Sequence, residues 1–190
     1  MSVNLQKGQK VELRKGNGGM LRKVVVGLGW DEVEQREAAD IDCDASAFVC
    51  IDGRLTKTDD VVYYGNLSHH SGCVRHMGDN LTGAGEGDDE QIFVDLASLP
   101  AEYDKIIVVV NIYQARQRGQ HFGMIRNAFI RICDAETGQE LCKYDLSENY
   151  DGMTAMVFGE VYRYNGKWKF NAIGQPTRDN SISDLARRFV

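Results

Sequence analysis

Apolar and polar residues alternate with a period of two along much of this chain, the signature of strands with one buried face. In Met156-Val-Phe-Gly-Glu-Val-Tyr-Arg-Tyr164 that period puts Met156, Phe158, Glu160, Tyr162 and Tyr164 on one face. Asn165-Gly166 follows, and then Lys-Trp-Lys-Phe. Asn-Gly between two such runs specifies a hairpin, because a type I′ turn needs positive φ at both central positions. Lys15-Gly-Asn-Gly-Gly19 reads as an earlier hairpin turn. Alternation and branched or aromatic content predict strands over Lys10–Lys15, Leu21–Gly29, Ser46–Ile51, Asp60–Asn66, Gln91–Val94, Lys105–Tyr113, Ala128–Asp134, Glu140–Leu146, Thr154–Tyr164 and Lys167–Ile173. Helical signals are few. Asp95–Ala101 suits one turn ended by Pro100. Ser181–Phe189 has a serine cap, Asp184 in its first turn and Arg187-Arg188 in its last, an order that complements the helix dipole. Gln117–Gly123 is a polar link too short to divide the chain. The pattern predicts one all-β domain over residues 1–190, a β-sandwich of two mostly antiparallel sheets with a few short helices.

Composition narrows the function classes. With 43% hydrophobic and 26% charged residues, the 190-residue chain reads as soluble and globular. A pI near 5.2 argues against nucleic acid as a partner, since phosphate binding needs a concentrated basic face. The first residues lack the apolar core of a secretory signal, and the longest aliphatic run, Ile106 to Val110, is too short to span a bilayer. Cys43, Cys50, Cys73, Cys133 and Cys142 are odd in number and have no CxxC spacing, which predicts free thiols and a cytoplasmic setting.

The acidity is local. Asp31–Asp44 and Asp79–Glu90 hold twelve of the 28 carboxylates and one base, Arg36, a net of −11 in a chain of −6. Two carboxylates about 4 Å apart repel by roughly 4 kcal/mol at an effective dielectric near 20, so blocks that meet call for a cation between them. Interleaved glycine and asparagine add the oxygen ligands that Ca²⁺ takes. Neither block is an EF-hand: Asp40-x-Asp42-x-Asp44 has Ala45 at the sixth position and Ile51 at the twelfth, and Asp79–Glu90 has Leu81 and Gly83 where oxygen side chains belong. On a strand, Asp40, Asp42 and Asp44 would share one face while Ile41 and Cys43 enter the core. That face is either a ligand row or a solvated acidic edge. In the second block, Asp79, Asn80, Asp88, Asp89 and Glu90 supply side-chain oxygens, and Gly83, Gly85 and Gly87 allow a coiled loop.

Two further constellations carry chemistry. His70-x-x-Cys73-x-x-His76 offers soft ligands for Zn²⁺ or copper, set against a plain surface hairpin loop with a stray thiol. Gly27-x-Gly29 lacks the third glycine of a dinucleotide loop, Glu32 standing in its place, and no Gly-x-Ser-x-Gly, Walker or HExxH motif occurs. The chain is expected not to be an enzyme; a metal-dependent hydrolase is the enzymatic alternative.

Gly27-Leu-Gly-Trp-Asp31, Asp40-Ile-Asp-Cys-Asp-Ala-Ser46, Gly78-Asp-Asn-Leu-Thr-Gly83 and Gly87-Asp-Asp-Glu90 resemble the TerD family of tellurium-resistance and stress proteins. So do Phe122–Arg131, Tyr144–Glu148, Ala155–Arg163 and Trp168–Gln175, in order over nearly the whole chain. The resemblance implies a β-sandwich that binds Ca²⁺ through its acidic loops. It implies a cytoplasmic protein, peripheral to the inner face of the membrane, with protein partners in a stress-response complex that include membrane-embedded ones. Carried over by position, the implied metal ligands are Asp31, Asp40, Asp42, Asn66, Asp79, Asn80, Asp88, Asp89 and Glu90. Gly65 stands where the family often has a second asparagine, Cys43 replaces a usual aliphatic residue, and Gln175-Pro176 replaces Gln-Gly. The function so implied is a non-enzymatic Ca²⁺-binding protein whose ordered loops present a partner surface. The alternative is a module in which Ca²⁺ bridges to phosphate or anionic lipid.

Overall fold

The computed structural model describes residues 2–32, 41–78 and 87–190. Its strands are β1 (Val3–Leu5), β2 (Lys10–Glu12), β3 (Lys23–Glu32), β4 (Cys43–Ile51), β5 (Val61–Val62), β6 (Val74–His76), β7 (Glu90–Asp95), β8 (Tyr103–Ile112), β9 (Ile125–Asp134), β10 (Glu140–Asp145), β11 (Ala155–Tyr164) and β12 (Lys167–Thr177). They form two six-stranded sheets, ordered β1-β10-β9-β3-β7-β6 and β2-β12-β11-β8-β4-β5. Every pairing is antiparallel except β1 with β10. The predicted sandwich of two mostly antiparallel sheets is the observed fold.

The core follows from the alternation. Val24, Val26, Leu28 and Trp30 of β3, with Ile130 and Ile132 of β9, point inward from the first sheet. They meet Ala45, Ala47 and Val49 of β4 and Ile106, Val108 and Val110 of β8. The opposite parity of β4 and β8 is apolar as well. Phe48, Cys50, Ile107 and Val109 form a second cluster outside the sandwich, closed by Leu185 of α2 (Ile182–Ala186). The second sheet is therefore buried on both faces over its centre, and its central strands read as continuous apolar runs. Ser181 caps α2 as predicted, its Oγ accepting from Asp184 N at 3.1 Å. The Asn165-Gly166 turn has φ of 51° and 73°, the type I′ geometry expected of that dipeptide.

The structure departs from the alternation pattern in four places. β1 and β6 lie outside every predicted strand, because three residues give too short a pattern. The predicted strand Asp60–Asn66 is reduced to Val61–Val62, since Tyr63 and Asn66 exchange backbone hydrogen bonds and turn the chain back. A Cβ on Gly65 would lie 2.6 Å from the Tyr63 ring, so a side chain there requires that ring to move. Ala115–Arg118 forms a helical turn, α1, bracketed by Gln114 and Gly119 with positive φ, where only a polar link is read from sequence. Asp95–Ala101, by contrast, forms the single turn read from sequence, Leu99 N bonding Asp95 O at 3.1 Å just before Pro100 and Ser98 N held by Asp95 Oδ1 at 3.0 Å.

Candidate functional site

Three of the nominated carboxylates meet at one end of the first sheet's outer face. Asp31 leaves β3 beside Asn127, whose Nδ2 donates to Asp31 Oδ2 at 2.7 Å. Alternation along β3 carries Trp30 into the core and Asp31 outward, and opposite them an extra residue in β9 shifts the register between Gly29 and Asp31. The chain then re-enters at Gly87 and crosses β3 on its way into β7. Asp89 N donates to Leu28 O at 2.7 Å, and Trp30 N donates to Asp89 Oδ2 at 2.7 Å. The Asp88 carboxylate lies flat on β3. A Cβ on Gly27 would collide with it, and one on Gly29 would meet the Phe129 ring at 2.5 Å and Gly87 O at 2.9 Å. The Gly27-x-Gly29 pair thus has a packing purpose: it leaves room for an acidic side chain on a strand.

Asp88 is gripped by Arg131 Nε at 2.7 Å and Gln91 Nε2 at 3.0 Å. Arg131 also reaches Glu140 at 3.4 Å. Burial, and then the negative charges of Asp31 and Asp88, push the Asp89 carboxyl above its ordinary value, against the Trp30 N–H that favours its anion. Beside these groups lies a cleft of about 670 Å³, lined among others by Trp30, Asp31, Asp89, Phe129 and Lys143. Its donors are carboxylate and carbonyl oxygens, the set that suits a hard cation.

Glu90 turns the other way. It is buried between the sheets, accepts from Ala45 N at 2.5 Å and lies 3.4 Å from His76 Nε2. β5 pairs with β4 only at Ala47 and Phe48, so the Ala45 N–H has no strand partner and takes a carboxylate instead. Asp42 belongs to the second sheet's side, its carbonyl accepting from Tyr113 N at 2.7 Å. Burial, and then Asp44 first among the neighbouring charges with Asp42 behind it, raises the Tyr64 hydroxyl. Asp44, expected on an outward acidic face, is 3% exposed, while Ile41 and Cys43 are buried as expected. Asn66 sits in the tight turn, its Nδ2 donating to Val61 O at 2.8 Å. Asp40, Asp79 and Asn80 lie outside the described residues.

The proposed His70–Cys73–His76 group does not converge. Val74 and His76 alternate into the core, which carries His76 to Glu90. Cys73 is buried, and its thiol donates to Ser71 O at 3.6 Å. His70 joins a different set. Among the described residues, the group of three metal-ligating side chains with donor atoms within 4.8 Å of one another is Asp60, His69 and His70. His69 Nε2 is 3.0 Å and His70 Nδ1 3.8 Å from Asp60 Oδ1. The Tyr103 hydroxyl donates to the same oxygen at 3.2 Å and lies 3.2 Å from His70 Nε2. Thr56 Oγ1 donates to Asp60 Oδ2 at 3.4 Å. Asp60 and Tyr103 escape sequence reading because nothing in their spacing ties them to the histidines.

No helix among the described residues is long and apolar enough to cross a membrane. Residues 1–189 match the family model described as the TerD domain. Stress response protein SCP2 of Bacillus subtilis (strain 168) is 44% identical over 200 residues, covering 100% of both chains. Tellurium resistance protein TerD of Serratia marcescens is 47% identical over 176 residues, covering 92% of this chain and 91% of its own. The crystal structure of the unknown-function protein SAV2460 superposes with a TM-score of 0.71 at 25% identity, covering 87% of this chain and 95% of that one. The chain belongs to the TerD family, whose members carry tellurium-resistance and stress-response names.

Proposed function

We propose that this protein is a non-enzymatic Ca²⁺-binding member of a tellurite-resistance or general stress response, acting on the cytoplasmic side of the membrane. Ca²⁺ held by the acidic loops would order a surface for protein partners, membrane-embedded ones included. The observation that carries this reading is the crowding of Asp31 and Asp89 at one cleft with Asp88 beside it, where burial first, and then the Asp31 and Asp88 charges, raise the Asp89 carboxyl. The donor set fits the ion. Asp31 and Asp89 offer carboxylate oxygens at the cleft, whereas Asp88 is already paired with Arg131 and contributes chiefly charge. Bound Ca²⁺ supplies positive charge and several oxygen-directed bonds; the protein's part is to hold those oxygens on two strands and one crossing segment.

Calorimetric titration of chelator-stripped protein with Ca²⁺ tests the reading, with Mg²⁺ as the control. We expect one or two Ca²⁺ ions bound in the micromolar range and poorly matched by Mg²⁺. At about 100 times Kd, one such ion stabilises the fold by roughly 2.7 kcal/mol. Titration curves that stay flat, or an Asp31→Asn/Asp89→Asn variant that binds Ca²⁺ as tightly as wild type, would refute the site.

A second reading follows from the mixed sign of the cleft. Lys143 lies 4.4 Å from the centre of the Phe129 ring, and both line the cleft with Arg131. Cations beside a bound Ca²⁺ suit a bridged phosphate or anionic lipid headgroup. Flotation with phosphatidylserine vesicles, with and without Ca²⁺, separates this from protein-partner binding.

A further inference from the structure

The geometry points to a second metal site, built by Asp60, His69 and His70 for a divalent transition metal of Zn²⁺ type, independent of the acidic cleft. Zinc bonds of about 2.1 Å at tetrahedral angles set donor atoms roughly 3.4 Å apart. The separations of 3.0 Å and 3.8 Å between Asp60 Oδ1 and the two imidazole nitrogens bracket that value. The donor set is two imidazoles and one carboxylate, a combination that suits Zn²⁺ rather than the all-oxygen shell of Ca²⁺.

The surroundings supply what such a site needs. A ligating histidine ordinarily uses its other ring nitrogen to hold an outer partner. His69 does this, with Nδ1 lying 2.7 Å from Ser71 Oγ. When the metal takes Nε2, the proton that Nε2 shared with Asp60 is replaced by one on Nδ1. The ring stays neutral, and Nδ1–H donates to Ser71 Oγ at 2.7 Å, replacing the longer 3.3 Å bond that Nδ1 otherwise accepts from Ser71 N. The Tyr103 hydroxyl, which donates to Asp60 Oδ1 at 3.2 Å, orients the carboxylate. Asp60 and His69 are inaccessible, whereas the His70 side chain is 54% exposed. The metal would therefore enter from the His70 side, with its fourth position open to water or an exogenous ligand. Asp60 ends the 3₁₀ turn Thr58–Asp60, and His69 opens a turn closed by Gly72 N on His69 O at 2.8 Å, so both buried donors sit on fixed backbone.

The test is Zn²⁺ titration of the chelator-stripped full chain by calorimetry, run with and without excess Ca²⁺, with Co²⁺ visible absorption reporting coordination. We expect one equivalent of Zn²⁺ in both runs and tetrahedral Co²⁺ bands. His70→Ala alters an exposed side chain, so its metal-free circular dichroism and Tm should match wild type while Zn²⁺ affinity falls at least tenfold. Cys73→Ser should bind as wild type. No Zn²⁺ equivalent, competition by Ca²⁺, wild-type affinity in His70→Ala, or lost affinity in Cys73→Ser would each overturn the assignment. The readout is Zn²⁺ binding itself, so failure of the cleft to bind Ca²⁺ leaves it intact.

Discussion

The outer faces of the two sheets solve opposite problems. Over the centre of the second sheet, Phe48, Ile107 and Val109 are covered by α2, with Leu185 inaccessible and the Phe48 and Phe189 rings 5.8 Å apart. On the first sheet, the equivalent surface carries glycines at 27 and 29, a buried Asp88 and an open acidic cleft. One face spends its sequence on burying apolar area, the other on holding charges close together. The two tasks should therefore separate by mutation.

The largest expected effect is on the covered face. Leu185→Ala removes a buried side chain and should cost about 3 kcal/mol in urea unfolding. Ca²⁺ affinity should stay within twofold of wild type; a large loss of affinity would show the faces to be coupled. On the open face, Gly27→Ala places a methyl where the Asp88 carboxylate lies. We expect a loss of about 2 kcal/mol from this overpacking, together with a fall in Ca²⁺ affinity of about tenfold, or about 1.4 kcal/mol. A variant that folds and binds normally would contradict the role assigned to that glycine. Arg131→Met strips Asp88 of its cation. The protein should lose about 1 kcal/mol without Ca²⁺ and regain it with Ca²⁺, as thermal melts in both conditions would show.

The smallest effect concerns the strap next to α2. Burial works against the ionised form of Asp179, but the Arg188 and Thr177 bonds outweigh it and hold the carboxyl below its ordinary 3.8. A depressed carboxyl pKa contributes stability that is complete above the unfolded value and fades as pH falls through the folded one. Arg188→Ala should therefore cost about 0.5 kcal/mol at neutral pH, with the difference vanishing in acid. A difference that persists at pH well below 3.8 would mean that Arg188 acts through packing.

Local chemistry was the legible part of this molecule. Asn165-Gly166, Ser181 and the alternation of Ala155–Tyr164 announce a hairpin, a cap and a strand because each effect acts within a few residues. β6 was not legible, as it has three residues and an exposed Arg75 at its centre. The acidic blocks drew attention through composition, yet composition does not say which way a carboxylate points. Glu90 and Asp88 are two residues apart, and one enters the core while the other lies on the outer face. The Asp60–His69 pair was invisible for a related reason. Its partners are joined by a turn at Tyr63–Asn66 that truncates a strand which alternation alone would have continued.

Glu90 has a consequence for self-association. A strand edge with unpaired amide groups is a template on which another chain can add a strand. β5 shields only two residues of β4, which would leave more of that edge available. By occupying the Ala45 amide, the buried carboxylate of a strand in the opposite sheet closes that site from within. A foreign strand would have to displace this buried side chain before it could pair with Ala45, which works against sheet growth at that edge.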